Sequence, residues 1–113
     1  FLNMCVLIET ELGVSAFFDQ IKQIEIELGR TEKSQDQKYT DRKIDIDILY
    51  FDVTIVNNKQ LQIPHPKMHE RRFVLEPLHE IAPDFLHPVI KKTTAEMLQN
   101  CPDISKLSVY LEN

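Results

Sequence analysis

Glycine is almost missing from this chain: Gly13 and Gly29 are the only two in 113 residues, so no Gly-rich loop can cradle a phosphate on successive backbone amides. Cysteine is as sparse. Cys5 and Cys101 lie far apart with no Cys-x-x-Cys companion, and read as two free or buried thiols in a reducing, cytoplasmic compartment. No apolar run approaches the roughly 18 residues of a membrane span, and no signal-peptide pattern is present, so no membrane partner is expected. Basic charge is in deficit. Thirteen Lys and Arg stand against 18 Asp and Glu, a net charge of −5 that argues against a nucleic-acid or anionic-membrane surface. What is present is ordinary for a globular protein, with 42% hydrophobic residues in a length that suits one domain and one core. A polar lead-in is also lacking: Phe1 passes straight into the strand-like FLNMCVLIE, which predicts a fragment with something upstream removed.

The densest chemical signal is the pair Asp45 and Asp47 in DRKIDIDILYF. A β-strand alternates faces with period two, so both carboxylates share one face while Ile44, Ile46 and Ile48 share the other. Two such carboxylates repel each other and lose hydration unless a positive group lies between them. A divalent cation answers that need, and hard oxygen donors suit magnesium best. The same pattern is also that of a half-exposed edge strand carrying two solvated aspartates, and the pair alone does not separate the two.

Along the chain, residues 2–9 read as a mostly apolar central strand and Gly13 as a turn. Ser15 is placed to cap a helix whose Phe17, Ile21, Ile24 and Leu28 recur at helical spacing, with Gly29 as its stop and one face buried on a sheet. Residues 30–41 contain almost nothing apolar and predict a mobile polar loop running into the aspartate strand. Residues 44–52 form the second strong strand, and 53–63 a small hairpin turning at Asn57-Asn58. An irregular basic segment follows to Arg72, then a short helix over 73–82 with Pro83 past its end. Thr93 with Glu96 makes a capping box for a last helix to about Gln99. That order predicts an α+β sandwich with helices packed on a sheet.

Cations gather around the aspartates in the sequence. Arg42 lies three residues before Asp45, Arg30 begins the polar loop, and His65, Lys67, His69, Arg71 and Arg72 form a basic cluster in an otherwise acidic chain. Magnesium bridging phosphate oxygens, with guanidinium groups beside them, is the arrangement a triphosphate requires. Taken singly, each basic residue also reads as a solvated surface charge, and His79 and His87 are left with that reading. His65 is set apart by its two flanking prolines, which fix the backbone that carries it. Phe1 and Phe73 serve either as stacking surfaces for a flat heterocycle or simply as core. Asn3 in an apolar strand is a buried amide in need of partners, which a heterocycle edge would supply.

These residues resemble the hydroxymethyldihydropterin pyrophosphokinases of folate biosynthesis. The resemblance is carried by RKIDIDILYF, by Ile63-Pro64-His65, by the run from Met68 to Phe73, by PLHEIAP and by the opening FLNMCVLIET, in that family's order over nearly the whole chain. It implies transfer of the terminal pyrophosphoryl group of ATP to the 6-hydroxymethyl oxygen of a dihydropterin, with release of AMP. Asp45 and Asp47 would hold two magnesium ions. Asn3 would hydrogen-bond the pterin, with Phe1 and Phe73 on its two faces. Arg30 and Arg42 would act on the transferring phosphates, and His65, Arg71 and Glu25 would bind ATP. The implied fold is a ferredoxin-like α/β sandwich with an antiparallel sheet, here without its first strand-helix-strand and the Gly-Ser-Asn turn that belongs there. The missing strand would lie between those of residues 2–9 and 44–51. Its absence leaves two edges open to self-association, or to the remainder of a longer chain.

The match has departures. Thr40-Asp41 stands where small residues such as Gly-Pro are common, Glu32 where some members carry a second loop arginine, and Pro66 where an aromatic follows the histidine. Two other readings remain open on sequence grounds: a non-catalytic ferredoxin-like binding module, and another magnesium-dependent phosphoryl or nucleotidyl transferase built on Asp-x-Asp.

Overall fold

The computed structural model of the protein describes residues 3–33 and 44–105, without the side chains of residues 30–33. The chain divides into two compact units, Glu9–Ile48 and the remainder. In the first, helix α1 spans Val14–Lys33. Its apolar residues recur every three or four positions, and the carbonyl of Gly13 accepts the Phe17 amide at 3.0 Å to close the opening turn. Ser15 therefore sits inside the helix, not at its cap. Gly29 does not end it either. A glycine stop needs the left-handed backbone, and no described glycine has positive φ, so Gly29 stays helical at a cost of about 1 kcal/mol relative to alanine. The first four residues of the expected loop, 30–33, are consequently helical. The rest of it, 34–41, lies outside the described residues.

The expected buried face of α1 is only partly realised. Ile21 is buried, while Ile24 and Leu28 remain 41% and 39% exposed. Residues 44–48 of the same unit join no ladder. They are tied to α1 instead by a hydrogen bond from the Ile46 amide to Glu25.

The second unit contains the larger core. Met68, Leu75, Leu78, Met97 and Cys101 are buried together, with Cys5, Leu49, Tyr50, Val74, Ala82, Ile90 and Leu98 packed around them. Each fully buried side chain of this kind contributes about 1.5–3 kcal/mol. The hairpin pairs β1 (Val56–Asn57) with β2 (Gln62–Ile63) in antiparallel register, Val56 opposite Ile63. Its turn lies one residue beyond expectation. The Asn58 side chain accepts the amides of Gln60 and Leu61, both at 2.9 Å, so the turn is built on Asn58 while Asn57 belongs to the strand.

A single 3-10 turn, Met68–Glu70, leads into α2 (Arg72–Ile81). The final helix, α3 (Thr94–Gln99), opens with the predicted capping box: Thr93 Oγ1 accepts the Glu96 amide at 3.1 Å and Glu96 Oε1 accepts the Thr93 amide at 2.9 Å. Helices α2 and α3 pack on each other. The architecture is thus helices with an antiparallel two-stranded sheet, an α+β arrangement.

The expected strands at 2–9 and 44–52 have no ladder partner among the described residues. Alternating or continuous apolar residues predict a tendency to pair, but a strand needs a neighbour to receive its amides. Met4 and Leu7, expected to be central, are 80% and 81% exposed. Both cysteines are free, as expected. The Cys5 thiol is half-buried, donates to the Val74 carbonyl at 3.8 Å, and is pushed up in pKa by burial.

Candidate active site

The aspartate segment keeps the predicted alternation in part and without a sheet: Asp45 and Asp47 are exposed and Ile46 and Ile48 half-buried, but Ile44 is 50% exposed. Between the aspartates, the Ile46 amide donates to Glu25 Oε2 at 2.6 Å, and Glu25 Oε1 lies 3.3 Å from Lys22 Nζ. A carboxylate accepting an amide makes a short, strong hydrogen bond, so α1 fixes the peptide on which both aspartates are mounted. Glu25 was expected at the nucleotide; its observed partners are this amide and Lys22. Two exposed carboxylates on a held backbone fit magnesium, which takes one or two carboxylates and completes its octahedron with waters and substrate phosphates. Among the described residues no group of three or more His, Cys, Asp or Glu side chains is placed to hold a metal ion.

In the other unit, His65 stands between Pro64 and Pro66 with its amide donating to the Leu49 carbonyl at 3.0 Å. Its Nδ1 accepts the Lys67 amide at 3.2 Å, so in the neutral ring the proton sits on Nε2. Arg71 joins the 3-10 turn to α2, and its guanidinium carbon lies 5.8 Å from the centre of the Phe73 ring. Phe73 is 37% exposed, which decides against the core reading of that residue. The expected nucleotide-binding arginine and the expected stacking aromatic are therefore neighbours, in cation–π geometry.

Much of the remaining basic cluster is paired within the protein. Arg72 Nη1 lies 2.7 Å from Glu76 Oε2 and its Nε donates to the Asp103 carbonyl at 3.0 Å, while His69 Nε2 lies 3.6 Å from Glu70. Asn3 is exposed, not the buried amide expected. Phe1 and Arg42 lie outside the described residues, and of Arg30 only the helical backbone is described.

Two features escaped sequence reasoning. Asp103 reaches back to the start of α2. His87, expected at the surface, is 4% exposed and accepts the amides of Val89 and Ile90 at Nδ1, at 3.1 and 2.9 Å. Its neighbours Phe85, Leu86, Pro88 and Val89 were the available signal of burial. The ring also meets Tyr50 edge-on at 5.6 Å, and burial pushes the Tyr50 hydroxyl up to about 12.

Residues 1–83 match the family model of the 7,8-dihydro-6-hydroxymethylpterin-pyrophosphokinases (HPPK). The chain belongs to this family. The matched span takes in Glu25, Asp45, Asp47, His65, Arg71 and Phe73, and stops before α3 and Asp103. Among curated relatives, the chain is 46% identical over 89 residues to 2-amino-4-hydroxy-6-hydroxymethyldihydropteridine pyrophosphokinase of Porphyromonas gingivalis, covering 78% of this chain and 60% of that protein. It is 38% identical over 96 residues to the enzyme of the same name from Aquifex aeolicus, covering 85% and 58% respectively. It is also 43% identical over 103 residues to the Folic acid synthesis protein FOL1 of Dictyostelium discoideum, covering 91% of this chain and 15% of that protein. The chain spans little more than half the length of these two bacterial relatives of the HPPK family.

Proposed function

We propose that the protein carrying this chain transfers pyrophosphate from ATP to the 6-hydroxymethyl group of a dihydropterin, as a cytoplasmic enzyme of folate biosynthesis. The observation that carries the reading is the HPPK match across residues 1–83 coinciding with an exposed Asp45-x-Asp47 pair on a peptide held by Glu25. In the reaction the hydroxymethyl oxygen bonds to the β-phosphorus. The bond from that phosphorus to the oxygen shared with the α-phosphate breaks, AMP leaves with the electron pair, and the hydroxyl proton is released. Asp45 and Asp47 would hold two magnesium ions, which supply charge neutralisation on the phosphates. Glu25 sets the backbone of both aspartates and serves ATP through them. Arg71, His65, Arg30 and Arg42 are the cations for the nucleotide and the transferring phosphates. Phe73, Phe1 and Asn3 hold the pterin. The reading takes residues 1–113 as one incomplete pyrophosphokinase domain of ferredoxin-like topology.

Calorimetry tests it. The dihydropterin is expected to bind only with magnesium and a non-hydrolysable ATP analogue present, and binding of neither substrate would leave a binding module. Nucleotide binding without pterin binding points to another transferase using the same aspartates.

The exposed apolar residues Met4, Val6, Leu7 and Ile8, which pair with no strand among the described residues, also support self-association of the isolated chain. Light scattering after size-exclusion is expected to show a dimer or larger species, and a stable monomer overturns that part of the reading.

A further inference from the structure

Helix α2 begins with a shortage. The first amides of any helix lack an internal acceptor, and the cap residue Arg71, with φ −121° and ψ 109°, offers no side-chain hydrogen bond. The acceptor comes from 31 residues further along the chain: Asp103 Oδ2 receives the Arg72 amide at 3.2 Å. A carboxylate at a helix N-terminus is favoured by the helix dipole as well. The same residue takes a second grip, its carbonyl accepting Arg72 Nε at 3.0 Å. Arg72 is also paired with Glu76, its Nη1 2.7 Å from Glu76 Oε2.

Asp103 is itself fixed. Its Oδ1 accepts the Ser105 amide at 2.9 Å, and Cys101, two residues before it, is buried in the core with Leu75, Leu78 and Met97. Hydrogen bonds from the Ser105 side chain and amide, then from the Arg72 amide, hold its carboxyl below the usual carboxylate range, so it is ionised at neutral pH. The tripeptide Arg71-Arg72-Phe73 is thus clamped at its middle residue, while the residues on either side form the Arg71–Phe73 pair.

We propose that Asp103 is a positioning residue for Arg71 and Phe73, setting through Arg72 the place at which they meet nucleotide and pterin. The inference rests on the pyrophosphokinase reading and extends it beyond the matched span, since Asp103 lies past residue 83. It predicts that the segment after α3 belongs to the substrate site functionally without touching a substrate.

The test is a double-mutant cycle read by calorimetric binding of a non-hydrolysable ATP analogue with magnesium, with thermal unfolding of every variant recorded alongside. Asp103→Ala is expected to weaken analogue binding about tenfold, as small misplacements of binding groups do. Asp103→Asn, which keeps an oxygen acceptor for the Arg72 amide, is expected to recover most of that loss. In an Arg71→Ala background, Asp103→Ala is expected to weaken binding less than twofold further. Equal weakening with and without Arg71 overturns the proposal, as does unchanged binding in Asp103→Ala. A parent protein that binds no nucleotide overturns the pyrophosphokinase reading and this inference together; failure of the cycle alone removes only the inference.

Discussion

Asp47→Ala is expected to lower pyrophosphoryl transfer by about a thousandfold or more, the scale lost when a principal electrostatic group of a phosphoryl-transfer site is removed. Asp47 is exposed, and the segment that carries it is held by the Ile46 amide on Glu25, so the fold is expected to survive the change. The size of the loss follows from the donor set. If the proposed pair of carboxylates holds the magnesium, removing one halves the negative charge that draws the ion there. Asp47→Asn is a sharper version of the test, because the amide keeps the size of the side chain and removes only its charge. It should be nearly as inactive as the alanine variant, and raising magnesium should restore it in part. Turnover retained at wild-type magnesium would remove the metal role from this pair. A matched fall in the urea midpoint would reassign Asp47 to structure.

Glu25 shows where sequence reasoning reached its limit. Its place on the helix was legible from the apolar spacing around it, but its role was not. Nothing in the helical pattern says that its carboxylate will accept an amide 21 residues later. The features that sequence did disclose are local. The Thr93–Glu96 capping box joins residues three apart, helix α2 lies within one residue of its expected bounds, and the hairpin turn is set by Asn58 accepting the amides two and three residues on. Each is decided by side chains a few bonds from the backbone they control. Asp103 on Arg72 and the strands at 2–9 and 44–52 escaped because they are non-local, the strands' pairing depending on a neighbour that their own pattern does not name. His87, whose bonds are local, escaped because a lone histidine reads as surface charge. Gly29 failed for a different reason. Glycine permits a helix stop without requiring one, and here the helix continues through it. For the site, the alternation of Asp45 and Asp47 with Ile46 and Ile48 was legible in the sequence, whereas the exposure of Phe73 was not, since core and stacking surface were both open there. The proximity of Arg71 to Phe73 needed the start of α2 to be known.

His87→Ala is expected to destabilise the protein by about 2–4 kcal/mol, combining a cavity with the loss of the acceptor for two amides. The ring sits inside the loop closed by the Leu86–Thr93 bridge, and the His87 backbone makes two further bonds there, its amide to the Lys92 carbonyl and its carbonyl to the Lys91 amide. Because Nδ1 accepts from Val89 and Ile90, the fold requires the ring neutral at that nitrogen. Burial, and after it the nearby His69, lower its pKa below the ordinary 6.5. The unfolded chain therefore binds the proton more readily than the folded one. The contribution of the neutral ring is complete above about pH 6.5 and is lost progressively as pH falls below that value, until the lowered folded pKa is passed. Asp103 acts in a separate, more acidic window, where its stabilising charge is lost only as pH falls through the carboxylate range. Urea midpoints measured from about pH 7.5 to 5 should thus decline in the parent. His87→Asn offers an oxygen to the same amides but does not titrate, so its decline over that interval should be shallower than the parent's. An equally steep decline in His87→Asn would place the proton-sensitive group elsewhere in the fold.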